Sequence, residues 1–282
     1  MSEERLRSEA PSERSSRILL GTPSFDARKF YFIKFSLAQD DGEQARLRRA
    51  LFTQPSASNH TLNGEEAMID LHTHTLLSDG ELLPFELARR AQEVGYKVIG
   101  ITDHVDSSNI DFVIPRIIAA CNDINKNWKI KAIAGVEITH MPLELIKSTV
   151  KFVRSKGIKL VLAHGETIVE PVIKGTNKES LLSDISILTH PGLITLEDAK
   201  LAAAKNIYLE ITARKGHSLS NGHVVKMARL AGAKLVLNTD SHTPDNLITK
   251  DFAEKTLLGA GLDKKEIAAV FRNSEELVSR IT

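Results

Sequence analysis

The sequence predicts an α/β fold in which parallel strands close into a TIM-like barrel, and three observations predict it. Between residues 68 and 282, short runs rich in Ile, Val and Leu alternate with amphipathic segments, the pattern of parallel strands joined by helices. Seven such runs fall within these 215 residues, enough for a barrel or for an open doubly wound sheet. The runs end in metal-capable side chains, and a closed barrel brings all the strand ends to one rim.

The strand-like runs are 69–72, 97–102, 130–138, 158–163, 185–189, 207–211 and 234–238. Amphipathic segments lie near 84–95, 109–124, 143–156, 195–205 and 220–232. Pro84 suits the first turn of a helix, where its missing N–H costs nothing. Gly95, Gly157 and Gly232 each follow a helical run and precede a strand, the place for a C-terminal cap. The tail, 250–282, reads as helical throughout, with Asp263 and Asn273-Ser274 as candidate caps.

Residues 1–67 are a different kind of sequence. They hold 8 Arg and 2 Lys, whereas 68–282 hold 8 Arg and 19 Lys. Ser and Glu crowd the start, and the one aromatic-apolar run, 30–37, is broken by Lys34. The expectation is a largely disordered extension, with one strand at 29–37 and one helix at 41–52, preceding a single domain at 68–282. Met68 directly precedes the first strand, so a mis-called start at Met1 is the companion expectation; an appendage with its own partner is the alternative.

Composition narrows the function classes. With 37 Lys+Arg against 36 Asp+Glu the formal charge is +1, too balanced for a chain built mainly to coat nucleic acid or an anionic membrane. The single cysteine, Cys121, excludes an internal disulfide and a Cys-rich zinc site. No apolar run approaches the roughly 20 residues that span a bilayer. The expected location is the cytoplasm.

The strand ends carry the chemistry. The first strand gives Asp70-Leu71-His72-Thr73-His74, followed by Ser78-Asp79-Gly80; the second ends Ile101-Thr102-Asp103-His104; the third, Gly135-Val136-Glu137. The fourth ends Leu162-Ala163-His164-Gly165-Glu166, the fifth Leu188-Thr189-His190-Pro191-Gly192, and the seventh Asn238-Thr239-Asp240-Ser241-His242. In His72-x-His74 and Asp240-x-His242, side chains two apart on an extended chain point the same way and reach one pocket. A lone His at a strand end is usually just a surface or hydrogen-bonded residue. Six of the ten His at strand ends, interleaved with Asp79, Glu137 and Asp240, are poorly explained by chance.

These separated motifs, in this order over roughly 68–245, resemble the PHP (polymerase and histidinol phosphatase) domain family of metal-dependent phosphoesterases. The resemblance implies a distorted seven-stranded (β/α)7 barrel holding two or three divalent ions, variously zinc, manganese or iron. It implies His72, His74, Glu137 and Asp240 on a first metal, with Glu137 bridging to a second held by His164 and His190. A third would be held by Asp79, His104 and His242; some members place a histidine where Asp79 stands. Residues 1–67 have no counterpart in the family pattern.

Mixed imidazole and carboxylate ligation suits zinc, manganese or iron. Such ions lower the pKa of a shared water and clamp both oxygens of a phosphoryl transfer. The expected reaction is therefore phosphate-ester hydrolysis by a metal-bound hydroxide held among Glu137, Asp240 and His190. Amide or lactone hydrolysis at a multi-His barrel is the alternative chemistry, and nothing here requires it. Arg214 and Lys215, after the sixth strand, are the candidate phosphate contacts, and His140, His217 and His223 further candidates for touching substrate. Asp70, Asp103 and Glu166 are candidates for carboxylates that orient the ligating imidazoles.

Only about 20 residues separate the third and fourth strands, too few for the inserted cap of family members that cleave nucleotides. An open pocket favours a small phosphomonoester such as histidinol phosphate. Nucleotides or nucleic-acid ends are the alternative substrates, and a metal-bearing scaffold without catalysis is a third reading that the complete ligand set disfavours. The residues carry no signal for an oligomeric state.

Overall fold

Seven parallel strands stand side by side in the computed structural model, which describes residues 68–282. In chain order the elements are β1 (Met68–Thr73), α1 (Pro84–Val94), β2 (Tyr96–Ile101), β3 (His104–Val105), α2 (Ile110–Asn127), β4 (Lys131–Ile138) and α3 (Leu143–Ser155). Then come β5 (Leu160–His164), α4 (Thr176–Leu181), β6 (Ile187–Thr189), α5 (Leu196–Lys205), β7 (Tyr208–Thr212), α6 (Asn221–Ala231), β8 (Leu235–Asn238), α7 (Lys250–Gly259) and α8 (Lys264–Ile281). The strand order is β1-β2-β4-β5-β6-β7-β8, with the two-residue β3 pairing beside β4. At the seam, His74 N donates to the Ser241 carbonyl at 2.8 Å and Leu71 N to Asn238 Oδ1 at 2.8 Å. A parallel bridge joins Thr73 to Ser241, so the sheet is nearly closed into a distorted barrel.

Strands buried on both faces read as continuous apolar runs, which is why the seven were legible. Their side chains split by parity into two layers. Leu71, Ile133, Leu160, Leu162, Ile187, Tyr208 and Val236 form one cluster, inside the barrel. Val161, Leu188, Leu209 and Leu237, one residue out of step, pack outward against the helices. Leu277, Val278 and Ile281 of α8 join the inner cluster, so this last helix covers the β1–β8 seam. Pro84 opens α1 as predicted, and Gly95 and Gly232 close α1 and α6 at φ 107° and 70°.

The tail is helical as expected, and Asp263 is a cap: α7 ends at Gly259, and Asp263 starts α8 with a reciprocal cap to Glu266. The other candidate cap needs correction. Asn273 and Ser274 therefore lie inside α8, where the Asn273 amide donates to the Leu235 carbonyl and Ser274 is buried. β3 and α4, at two and six residues, were too short to leave a periodic signal. The readings of 1–67 lie outside the described residues. Among the described residues no helix is long and apolar enough to cross a membrane.

Candidate metal centre

The inward parity that is apolar low in the barrel continues into polar side chains at its carboxyl end. Leu162 is followed two residues on by His164, Tyr208 by Glu210, Val236 by Asn238 and Asp240, and Ile133 four residues on by Glu137. β1 departs from strict alternation: its pairing with β2 shifts register between Asp70 and Thr73, so Leu71 joins the inner cluster while its neighbour His72 faces Glu137 and Asp240.

The central group is His72, His74, Glu137, His190 and Asp240, all nearly free of solvent. His72 Nε2 lies 3.1 Å from Glu137 Oε2 and 3.5 Å from Asp240 Oδ1. His74 Nε2 lies 3.5 Å from the same Glu137 oxygen and 3.1 Å from Asp240 Oδ1. His190 Nε2 stands 3.7 Å from both Glu137 Oε1 and Asp240 Oδ2. These atoms are close, yet His72 Nε2, both nitrogens of His74, Glu137 Oε2 and Asp240 Oδ1 have no hydrogen bond of acceptable geometry. Buried polar atoms left without partners cost about 1–3 kcal/mol each, so a constellation of them facing one hollow is a strong sign that something else satisfies them. The donor atoms fall into two overlapping groups, His72 with Glu137 and His190 and His72 with His74 and Asp240, each within 4.8 Å internally, and such imidazole and carboxylate sets fit divalent ions of the zinc, manganese or iron kind.

The backbone is bent to aim these groups. Among the described residues the non-glycine residues with positive φ are His140, His190, Asp240 and Asn206, and three of those four face this rim. Gly192, at φ 61°, allows the chain after His190 to pass so close to Glu166 that a Cβ would sit 1.8 Å from its carbonyl oxygen.

Electrostatics follow from burial and crowding. Burial opposes charge on His72, but the carboxylates of Glu137, Glu210 and Asp240 hold it protonated well above the usual imidazole range. Burial, with the neighbouring charges of His104 and His72, pushes His74 well below that range. His190 is lowered by burial and by His164. Glu137 stays ionised against its burial, because His72 and His104 hold it well below the usual carboxylate range.

Two flanking groups complete the rim. On one side His242 Nε2 lies 3.2 Å and His104 Nε2 3.6 Å from the Asp79 carboxylate, and the ring of His74 stacks 4.1 Å from each of those imidazoles. His74, Asp79, His104 and His242 have donor atoms mutually within 4.8 Å, so the geometry adds His74 to the expected third set. On the other side the ring of His164 stands 4.4 Å from that of His190, beside which it was expected, and its Nε2 lies 3.0 Å from Glu170.

Of the remaining expectations, Arg214 lines the cavity over this rim, about 200 Å³ in volume, with Nε 3.3 Å from Asp240 Oδ2 and Nη1 donating to the Asp240 carbonyl at 2.8 Å. Lys215 is exposed and does not line that cavity. His217 is buried against Glu170, whereas His223 bonds the Ile194 carbonyl at 2.8 Å, away from the rim.

Asp70 and Asp103 fasten backbone rather than imidazoles. Asp70 accepts from the backbone of His72 and from Thr239, tying β1 to the segment that carries Asp240; its burial pushes its carboxyl up to about 7. Asp103 accepts from Thr75 N and Ser78 Oγ and so holds the turn that carries Asp79. Glu166 accepts from the amides of Gly175 and Asn177.

Sequence reasoning missed the carboxylate that does orient an imidazole. Glu210 Oε2 lies 2.8 Å from His72 Nδ1 and accepts from Asn238 Nδ2 at 2.9 Å. Its signal was present: an acidic residue in the middle of an otherwise apolar central strand. Glu170, in the loop after β5, was also missed and had no comparable signal.

Comparison with known proteins agrees with this geometry. The PHP domain family model matches residues 70–182, a span holding six of the nine expected ligands. An uncharacterised protein of Methanocaldococcus jannaschii is 44% identical over 215 residues, covering 75% of this chain and 99% of that protein. A probable phosphatase of Shewanella frigidimarina is 26% identical over 242 residues, covering 76% of this chain and 93% of that protein. Among solved structures, N-isopropylammelide isopropylaminohydrolase of Burkholderia multivorans superposes with a TM-score of 0.53 at 10% identity, covering 76% of this chain and 74% of that one, a likeness of fold alone. From its motifs, its fold and these relatives, the chain belongs to the PHP domain family.

Proposed function

We propose that the chain is a metal-dependent phosphatase acting on a small phosphomonoester of the histidinol phosphate kind. The observation that carries this reading is the set of buried donor atoms from β1, β4 and the end of β8 that face one another without hydrogen-bond partners beneath a small cavity. Ions in the central and Asp79-side groups, two or three in number, would supply Lewis acidity toward phosphate oxygens and a nucleophile at neutral pH. Glu210 fixes the ring of His72 through Nδ1 and so presents Nε2 to the hollow. Asp240 and Glu137 neutralise cationic charge there, and Arg214, anchored on Asp240, brings a permanently charged guanidinium to the cavity wall, where it would grip a phosphate oxygen. Asp70 and Asp103 hold the flanking backbone against rearrangement as charge develops.

The cavity volume of about 200 Å³ and the single helix between β4 and β5 support a small substrate over a nucleic-acid end. A phosphate-release screen with added manganese or zinc over histidinol phosphate, a generic aryl phosphomonoester and an aryl phosphodiester tests this. Release from the monoesters is expected. Turnover of the diester alone would turn the reading to the nuclease alternative, and no turnover with metal bound to the metal-bearing scaffold.

A further inference from the structure

The opposite end of the barrel carries a second cavity, and no residue of the metal centre lines it. It lies beside the amino ends of β6 and β7, between α3, the segment linking α4 to β6, and the end of α5. Its volume is about 330 Å³, against about 200 Å³ over the carboxyl rim. Ligand pockets generally hold about 300 to 1,000 Å³.

The floor of this cavity is apolar and its mouth is cationic. Val150 of α3, Ile185 and Ile207 are almost wholly buried and line it, with Leu182 at the edge, 42% exposed. Lys147 and Lys151 come one turn apart from α3, and Lys205 is the last residue of α5. Two lysines at i and i+4 repel each other, so α3 itself gains nothing from the pair. None of the three is ion-paired among the described residues. The one acid in the lining, Asp184, is already engaged: Arg154 Nε lies 3.2 Å from its Oδ2, and the same guanidinium donates to its carbonyl at 2.7 Å. Lys205 Nζ donates to the Leu182 carbonyl at 3.3 Å, which holds that ammonium at the mouth. Three cations thus surround an apolar hollow with no anion among the described residues to balance them.

We propose that this cavity is a second ligand site, for a small organic phosphate of the nucleotide class. The argument for the occupant is complementarity of charge and of polarity. Lysine ammoniums are point charges on flexible stems, suited to a phosphate chain that presents no fixed fork. The floor of Val150, Ile185 and Ile207 suits the flat face of a base, which gains by leaving water. The lining holds no imidazole, and its single carboxylate is occupied by Arg154, so the ligand is bound there and not hydrolysed. The site does not depend on the metal centre.

Calorimetric titration of ADP into the full chain in the presence of a chelator tests it, with adenosine and pyrophosphate as the two halves of the ligand. One equivalent of ADP is expected to bind, more tightly than either half, with an affinity that falls as salt is raised. Lys147→Glu, Lys151→Glu and Lys205→Glu should each weaken ADP about 10-fold or more, because a like charge then meets the phosphates. Arg214→Ala, at the carboxyl rim, should leave ADP affinity unchanged. All three lysines are exposed, so the reversals leave the fold in place, and melting curves verify this. Pyrophosphate binding as tightly as ADP would overturn the nucleotide assignment. No binding of ADP by wild type, or binding that survives all three reversals and is lost in Arg214→Ala, would overturn the site and leave the phosphatase reading standing.

Discussion

The lower and upper halves of the barrel interior are made by the same strands with the same alternation, yet they do opposite things. Below, Leu71, Ile133, Leu160, Leu162, Ile187, Tyr208 and Val236 fill the space with apolar side chains that need no partner beyond one another. Above, His72, His74, Glu137 and Asp240 are buried just as deeply but leave polar atoms unsatisfied. The lower half stabilises the fold, while the upper half weakens it unless cations arrive. Burial therefore has two meanings along one strand, and the change occurs within a step or two of residues: Leu162 to His164, Val236 to Asp240.

The comparison breaks most sharply at Glu137. Replacing it with Gln should lower phosphate release about 10³-fold or more, since several kcal/mol of charge stabilisation go with the ions it would hold, while the thermal midpoint of the metal-free chain stays near wild type. Parallel kinetics and melting curves check this. Leu162→Ala, two residues below His164, should do the reverse: a loss of about 2–5 kcal/mol in denaturant unfolding with unchanged metal stoichiometry.

Glu210 sits on the boundary between the halves. Both of its oxygens accept, from His72, Asn238 and the His190 amide, so the NH₂ of Gln would face N–H donors. Glu210→Gln should weaken metal binding about 10- to 100-fold in a chelator competition, with kcat falling less than affinity.

The smallest effect is on pH. His72 is held protonated above the usual imidazole range by the carboxylates around it, so an incoming ion must displace a proton. Affinity should fall about tenfold for each unit that pH drops below the His72 pKa of the metal-free chain and level off above it. Calorimetry in two buffers of different ionisation enthalpy would show the released proton; identical heats would count against the assignment.

Much of this was legible in the residues. Parallel strands buried on both faces announce themselves as apolar runs, and the ligands at their ends stand out because each interrupts such a run, as Glu137 follows Val136 and Asp240 follows Asn238-Thr239. What periodicity does not encode was missed. Glu210 interrupts its apolar strand, but what the acid is for stays hidden until its partner His72, 138 positions away, is located. Glu170 lies in a loop whose path is set by hydrogen bonds of Glu166 and Asn177, not by any repeat. In the tail Asp263 and Asn273 look alike as caps; the first is one, and only packing against Leu235 puts the second inside a helix.

The central claim is that the carboxyl rim gathers divalent cations between side chains from the two ends of the domain sequence. Anomalous diffraction at the zinc edge from crystals grown with zinc addresses it directly. The account predicts peaks about 2 Å from the facing atoms of His72, His74, Glu137 and Asp240 and beside Asp79. A map without peaks at the rim, with those side chains bonded only to one another, would contradict it.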